Sequence, residues 1–421
     1  MDLVKRLIKG DNIIWIIFIL FCAISIIEVF SAASSLTFKS ENHLLPITQH
    51  CRHLFIGFIC LLVVLKTPYR LYPILGAIAY LVSAALLLFL LVMGRKMGSS
   101  VNEAHRWFMI FGVQFQPSEL AKMATIIVTS SILSIRTEED RPIPQAFKWV
   151  LILTGVMVVL IAPENLSTAL LLAGVVFILL IISRVEFKKI LRLSLFALGI
   201  LVVLFILTLT VSVPSDTKIP FAHRFPTWKA RIMKHTSKEQ VPAAKFDLDN
   251  DAQIANARIA VAQGGLIGKG PGNSNQRDFL SQAFSDFIYA IIIEELGLII
   301  GGFGVALLYI CLLIRSGQIA SRAENNFNKL LVMGIAILIA SQALINMMVT
   351  VGLFPVTGQP LPLISKGGTS TLVNCMYIGI ILHISQFTST ANSSDLEEAE
   401  DFNETNVTST TPLQNATIEE L

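Results

Sequence analysis

Long apolar runs separated by short polar connections fill the chain from about residue 13 to about residue 388. About 20 apolar residues in helical form cross a hydrocarbon layer of roughly 30 Å, so each run can be measured against that length. Runs at 13–34, 52–67, 72–94, 117–135, 147–162, 166–183, 189–213, 287–314, 328–352 and 370–388 reach or approach it. The pattern predicts an all-α polytopic membrane protein with about ten transmembrane helices. Two of the runs, 52–67 and 147–162, are short, and 117–135 carries Glu119 and Lys122.

Charge sets the expected orientation. Lys5, Arg6 and Lys9 precede the first run, Lys66 and Arg70 follow the second, Arg184, Lys188, Lys189 and Arg192 follow the sixth, and Arg315, Arg322 and Lys329 lie between the eighth and ninth. Counted alternately, all of these fall on one side, which the positive-inside rule makes cytoplasmic, with both termini. Arg95, Lys96 and Arg106 fall on the outer side, which marks that connection as a candidate basic surface. The longest connection, 214–285, is expected to be a large extracytoplasmic loop between helices 7 and 8. A helix is expected over Ala252–Ala262, ahead of the glycine-dense stretch Gly264–Gly272. From Ser389 onward there is no Lys or Arg, while Asp395, Glu397, Glu398, Glu400 and Asp401 accumulate among Ser, Thr and Asn. Residues 389–421 therefore read as a disordered acidic cytoplasmic tail appended to a 1–388 membrane domain.

Composition agrees with this reading. The chain is 54% hydrophobic and 14% charged, against about 45–50% and about 25% for a soluble domain. A net charge of +3 spread over short loops leaves no stripe for nucleic acid. Five cysteines without metal or disulfide spacing add no framework.

Ionisable groups at membrane depth are the natural candidates for chemistry. Asp286 stands where the long loop meets the eighth run, and it is either a helix-start carboxylate, with Ser285 or Asp286 as cap, or a reactive group at the water–lipid boundary. Glu294 and Glu295 are expected roughly 12 Å deeper in the same helix, too far to share a proton with Asp286. In Gln116-Pro-Ser-Glu119-Leu-Ala-Lys122, Pro117 suits a first helical turn, and Glu119 and Lys122 share one face as a self-neutralising pair or as an anion-meeting lysine. The Pro- and Gly-rich segment 352–370, with Ser365 and Lys366, is expected as a structured outer loop. Glu28 and His383 are taken as packing residues.

These stretches carry a resemblance. Arg106-Trp107, Gln116–Lys122, Gly264 through Ser274, Ser285-Asp-Phe-Ile-Tyr-Ala290, Glu294-Glu-Leu-Gly297 and Pro360–Ser370 are similar, in order, to the signatures of the SEDS family of shape, elongation, division and sporulation proteins, and more to its FtsW than its RodA branch. The resemblance implies a peptidoglycan glycosyltransferase of the bacterial inner membrane that polymerises lipid II at its outer face, at the division septum. It implies a class B penicillin-binding protein and other division proteins as partners. The family's catalytic aspartate maps onto Asp286. Arg106, Glu119, Lys122, Ser365 and Lys366 are the expected substrate-binding residues, Lys366 standing where the family usually has tyrosine. A divalent cation, Mg²⁺ or Mn²⁺, could help neutralise the leaving diphosphate, although no protein metal cage is legible. A lipid II flippase, an elongation polymerase and a non-catalytic scaffold are the competing readings.

Overall fold

The computed structural model describes residues 9–32, 45–97, 108–110, 113–135, 141–210, 229, 250–280 and 283–387. Arg106 and the tail 389–421 lie outside the described residues, as does most of the first two thirds of the long loop. The helices are α1 (Asn12–Ala32), α2 (Leu45–Lys66), α3 (Tyr72–Met97), α4 (Pro117–Ser134), α5 (Pro144–Ile161), α6 (Leu166–Ile182), α7 (Phe187–Thr210), α8 (Asn250–Gly264), α9 (Ile288–Leu296), α10 (Val305–Arg322), α11 (Asn326–Thr350) and α12 (Gly368–Phe387). Between α3 and α4, β1 (Phe108–Ile110) and β2 (Val113–Phe115) form an antiparallel hairpin with Phe108 opposite Phe115. Periodicity did not announce this hairpin, because each strand has three residues.

Seven helical runs among the described residues are long and apolar enough to cross a membrane: α1, Pro46–Lys66, Tyr69–Val92, α5, Ile288–Arg322, α11 and α12. The expected runs at 117–135, 166–183 and 189–213 also fall on helices, α4, α6 and α7. α11 occupies the centre and packs against α4, α6, α9 and α10. Close approach is built from small residues, as membrane helix packing requires. A Cβ on Gly76 of α3 would come within 2.4 Å of Ile127 on α4, and one on Gly334 of α11 within 2.8 Å of Ile126. The outer helices turn large apolar side chains outward, such as Ile16, Ile19 and Phe30 on α1 and Leu81 on α3.

Helix ends follow local chemistry. Asp11 caps α1, its Oδ1 accepting the backbone N–H of Ile13 (3.0 Å) and Ile14 (3.1 Å). Its Oδ2 accepts from Arg315 Nε (2.9 Å) and Nη2 (2.6 Å), which ties α1 to α10. The Asp11 backbone N–H donates to Ser385 Oγ (2.8 Å) and adds α12 to the same clasp. His383 Nδ1 meets the Leu65 carbonyl at 2.8 Å, the helix contact expected of it.

The eighth run departs from expectation. Ile288–Arg322 is helical along its 35 residues, yet it is not one straight rod. Gly297 has φ +76°, and residues 297–304 continue as π-helix. In a straight helix residues nine apart lie about 13 Å from each other. Here a Cβ on Gly301 would stand 2.4 Å from the Ile292 carbonyl oxygen, and the Tyr289 hydroxyl donates to Gly302 O at 2.9 Å. The chain bends sharply at Gly297, so α9 is a separate short helix. Ile288 to Glu295 are all buried, which explains why Ile288–Ile293 is apolar on every face: it is encased in protein and not in lipid.

Candidate functional site

Asp286 lies in the turn 283–287 that leads into α9, half-buried. α9 starts after Phe287, which makes no side-chain cap bond. Neither Ser285 nor Asp286, the candidates considered, stands at the N-cap position itself. Ser285 Oγ instead donates to Asp286 Oδ1 at 3.2 Å.

Two elements, α11 and the 360–367 loop, grip this turn through its backbone. Asn346 Nδ2 of α11 donates to the Asp286 carbonyl (2.8 Å) and to the Gln359 carbonyl (2.7 Å). Ser365 Oγ donates to the Ser285 carbonyl (2.7 Å) and accepts the Leu361 N–H (2.7 Å). The Lys366 N–H donates to the Phe284 carbonyl at 2.9 Å. The 360–367 loop is in turn pinned from below. The Tyr309 hydroxyl of α10 bonds the Pro362 carbonyl, and Ser25 Oγ of α1 donates to the Ile364 carbonyl at 2.6 Å while contacting His50 Nε2 of α2 at 2.8 Å. Leu363 holds φ +66° within this loop, a left-handed conformation that costs a branched residue roughly 1–2 kcal/mol and persists only where surrounding bonds over-determine it.

Glu119 and Lys122 belong to the same network at one remove. Lys122 is fully buried, paired with Glu119 at 2.8 Å, and donates to Gln342 Oε1 at 2.9 Å. Gln342 Nε2 donates to the Pro360 carbonyl at 3.1 Å. Gln342 and Asn346, one turn apart on α11, thus join the Glu119–Lys122 pair and the Asp286 peptide to one loop. Sequence reasoning passed over both amides; two carboxamides spaced i, i+4 on an otherwise apolar helix were the available signal. Lys366 presents its ammonium nitrogen 5.3 Å from the centre of the Phe284 ring. Burial holds its pKa below the ordinary lysine value.

Glu294 and Glu295 stand at the far end of α9 from Asp286, as expected of one helix, and so do not share its site. They are the anchor for the glycine-rich loop. Glu294 pairs with Lys269 Nζ (2.6 Å) and accepts from Ser274 Oγ (2.6 Å) and the Asn275 N–H (3.0 Å). Glu295 accepts from the Gly272 N–H (2.9 Å) and the Ser31 hydroxyl of α1. A Cβ on Gly268, whose φ is +87°, would sit 2.3 Å from the Glu295 carbonyl oxygen. The loop therefore lies flat against the α9 backbone, and α8 packs along α9. The sequence-predicted residues fall into two groups. Ser365 and Lys366 hold the Asp286 turn through the carbonyls of its neighbours Ser285 and Phe284, with Glu119 and Lys122 joined to their loop through Gln342, whereas Glu294 and Glu295 serve the glycine-rich loop. Among the described residues no group of three or more His, Cys, Asp or Glu is disposed to hold a metal ion, so the residues present do not form a protein cage for one.

A bundle of apolar helices that encases a short helix, with a carboxylate at its start held by loop backbone, defines a polytopic membrane protein with an internal polar site. The chain belongs to the FtsW/RodA/SpoVE family of cell cycle proteins, whose family model matches residues 11–390. It is 30% identical over 385 residues to a Geobacter sp. (strain M18) protein named "Probable peptidoglycan glycosyltransferase FtsW", covering 90% of this chain and 98% of that one. A Legionella pneumophila protein of the same name is 31% identical over 380 residues, covering 88% and 90%. Among solved structures, a chain of a peptidoglycan synthase complex that coordinates polymerization and crosslinking matches with TM-score 0.70 at 22% identity, covering 90% of this chain and 99% of that one. Thermus thermophilus RodA matches with TM-score 0.61 at 23% identity, covering 90% and 98%.

Proposed function

We propose that this protein is a peptidoglycan glycosyltransferase that polymerises lipid II at the outer face of the inner membrane, in septal wall synthesis, with Asp286 as its general base. The observation that carries the reading is the grip on the Asp286 turn. Ser365, Lys366 and Asn346 fix its backbone from two elements while the carboxylate stays half-buried beside Ser285. The division assignment rests on the FtsW names of the relatives near 30% identity, and the orientation, with both termini cytoplasmic, rests on the basic loops.

Chain growth joins two lipid-linked sugars. A hydroxyl of the acceptor attacks the anomeric carbon of the donor, the carbon–oxygen bond to the diphosphate breaks, and the proton passes to the Asp286 carboxylate. The diphosphate departs with its electron pair and needs no proton from the protein, so one carboxylate suffices where hydrolysis of an ordinary glycoside needs two. A single displacement inverts the anomeric centre. Lys366 and Arg106 are the cations assigned to the departing diphosphate. Glu119 and Lys122, buried and joined to the loop through Gln342, position it. A class B penicillin-binding protein that cross-links the product is the proposed partner, in keeping with the synthase complex whose chain shares this fold.

The test is polymerisation of lipid II by the purified protein with its class B partner, read as glycan strands on a gel. Asp286→Ala should lose strands by about 10²–10⁴-fold, the range for removal of a general base, while unfolding at the wild-type temperature. Normal strand formation by that variant would sink the assignment and move the flippase and scaffold readings ahead.

A further inference from the structure

We infer that His50 and His53 of α2 join Lys366 in holding the diphosphate of the lipid-linked substrate, and that His50 takes up a proton as the diphosphate enters. The inference rests on the reading of the substrate given above. Ser25 fixes the starting state of His50. Its Oγ lies 2.6 Å from the Ile364 carbonyl oxygen and 2.8 Å from His50 Nε2. A hydroxyl carries a single proton and a carbonyl has none to give, so the Ser25 proton points to Ile364 and the ring must donate from Nε2. In the neutral ring Nδ1 is then a bare acceptor. It is buried without a hydrogen-bond partner, and His53, further along α2, has neither ring nitrogen partnered. Buried polar atoms are paired in the great majority of cases, so bare ones mark a place where a ligand can pair them.

Lys366 supplies the charge that selects the ligand. Its ammonium acts on both rings, and none of the ion pairs among the described residues includes it. The other groups around the rings bring no anion to it. Arg52 lies beside His53 on the same helix, α12 sets the Cys375 thiol against Gly57 one turn below, and Glu28, a turn beyond Ser25 on α1, acts on Glu295. An ammonium and bare ring nitrogens thus gather against the loop that holds the Asp286 turn. The diphosphate that links a sugar to a polyprenyl chain offers oxygens that only accept. His50 Nδ1 can bond such an oxygen only once it carries a proton, drawn from solvent, whereas His53 can donate from a neutral ring. The incoming negative charge favours that protonation and offsets the repulsion from Lys366. A sugar hydroxyl would instead donate to Nδ1 and need no proton.

The experiment is calorimetric titration of the full-length protein in detergent with farnesyl-diphospho-N-acetylglucosamine, at neutral pH in PIPES and in Tris, whose ionisation heats differ widely. The dependence of the heat on the buffer counts protons. The wild type should take up about one proton per molecule bound, the count that the Ser25 bond dictates. His50→Gln, whose amide donates without titrating, should bind within about threefold of the wild type and take up none. His53→Leu should bind about fivefold and Lys366→Met about tenfold more weakly, as the loss of a hydrogen bond and of a charge requires. Ser25→Ala keeps the imidazole but frees Nε2, so the neutral ring can present its proton at Nδ1, and the uptake should again be lost. No binding by the wild type, binding without uptake, or uptake retained by His50→Gln would overturn the inference. Strand formation from lipid II is read separately. Strands made by a wild type that takes up no proton would strike this site and spare the glycosyltransferase reading, and uptake by a protein that makes no strands would do the reverse.

Discussion

At the scale of single residues, the candidate site is a carboxylate presented by a backbone that other residues hold. Asp286, Ser365 and Lys366 were legible in the sequence because polar groups at a loop–helix boundary stand out against apolar runs. Asn346, Gln342, Ser25 and His50 were not, because an amide or hydroxyl inside an apolar helix looks the same whether it bonds its own turn or a distant loop. Lys366 allows a pH prediction. Burial lowers its pKa in the folded protein, so the unfolded chain binds more protons between the folded and ordinary values. Folded stability attributable to this group therefore rises with pH through that window, while its hold on a diphosphate weakens as the ammonium is lost. Polymerisation should accordingly fall on an alkaline limb below the ordinary lysine range. Lys366→Arg should move that limb upward, and Lys366→Met should lower activity at every pH and abolish the limb, as read from pH–rate profiles with lipid II.

At the scale of elements, most helices follow from run length, and the bend does not. Apart from Glu294 and Glu295 the run 287–314 is apolar throughout, and its mean hydropathy does not separate a lipid-facing span from a helix encased on all sides. The discriminating sign was Gly297 after two glutamates, read with the glycine-dense 264–272 stretch. Each supplies the backbone that lets the other approach, a relation between segments some 30 residues apart that no local period encodes. A Cβ on Gly297 would lie 2.3 Å from the Ile267 carbonyl carbon. Gly297→Ala should thus destabilise the protein by about 3 kcal/mol or more, through clash and positive φ together. Gly155→Ala on α5, which meets nothing within 4 Å, should be neutral or slightly stabilising. Thermal unfolding of both variants in the same detergent checks the contrast.

At the scale of the whole molecule, orientation is the proposal that the remaining chemistry depends on, and the native cysteines can test it. Cys51 is exposed near the outer end of the α2 span, whereas Cys22, Cys60 and Cys311 are partly buried deeper within their spans and Cys375 is buried. A membrane-impermeant maleimide applied from outside should label the wild type at Cys51, and Cys51→Ser should lose the label; labelling only after the membrane is opened would reverse the topology. The encasement of α9 has a further consequence. A carboxylate at the end of a lipid-facing helix rises and falls with the thickness of the bilayer, since mismatch is relieved by tilt. Asp286 hangs instead from a helix that touches only protein, and its height is set against α11 and the 360–367 loop. Nanodiscs of short- and long-chain lipids should therefore yield similar turnover per enzyme, with the strain of mismatch absorbed by the outer helices α3 and α5 and the distance from carboxylate to loop left as it is.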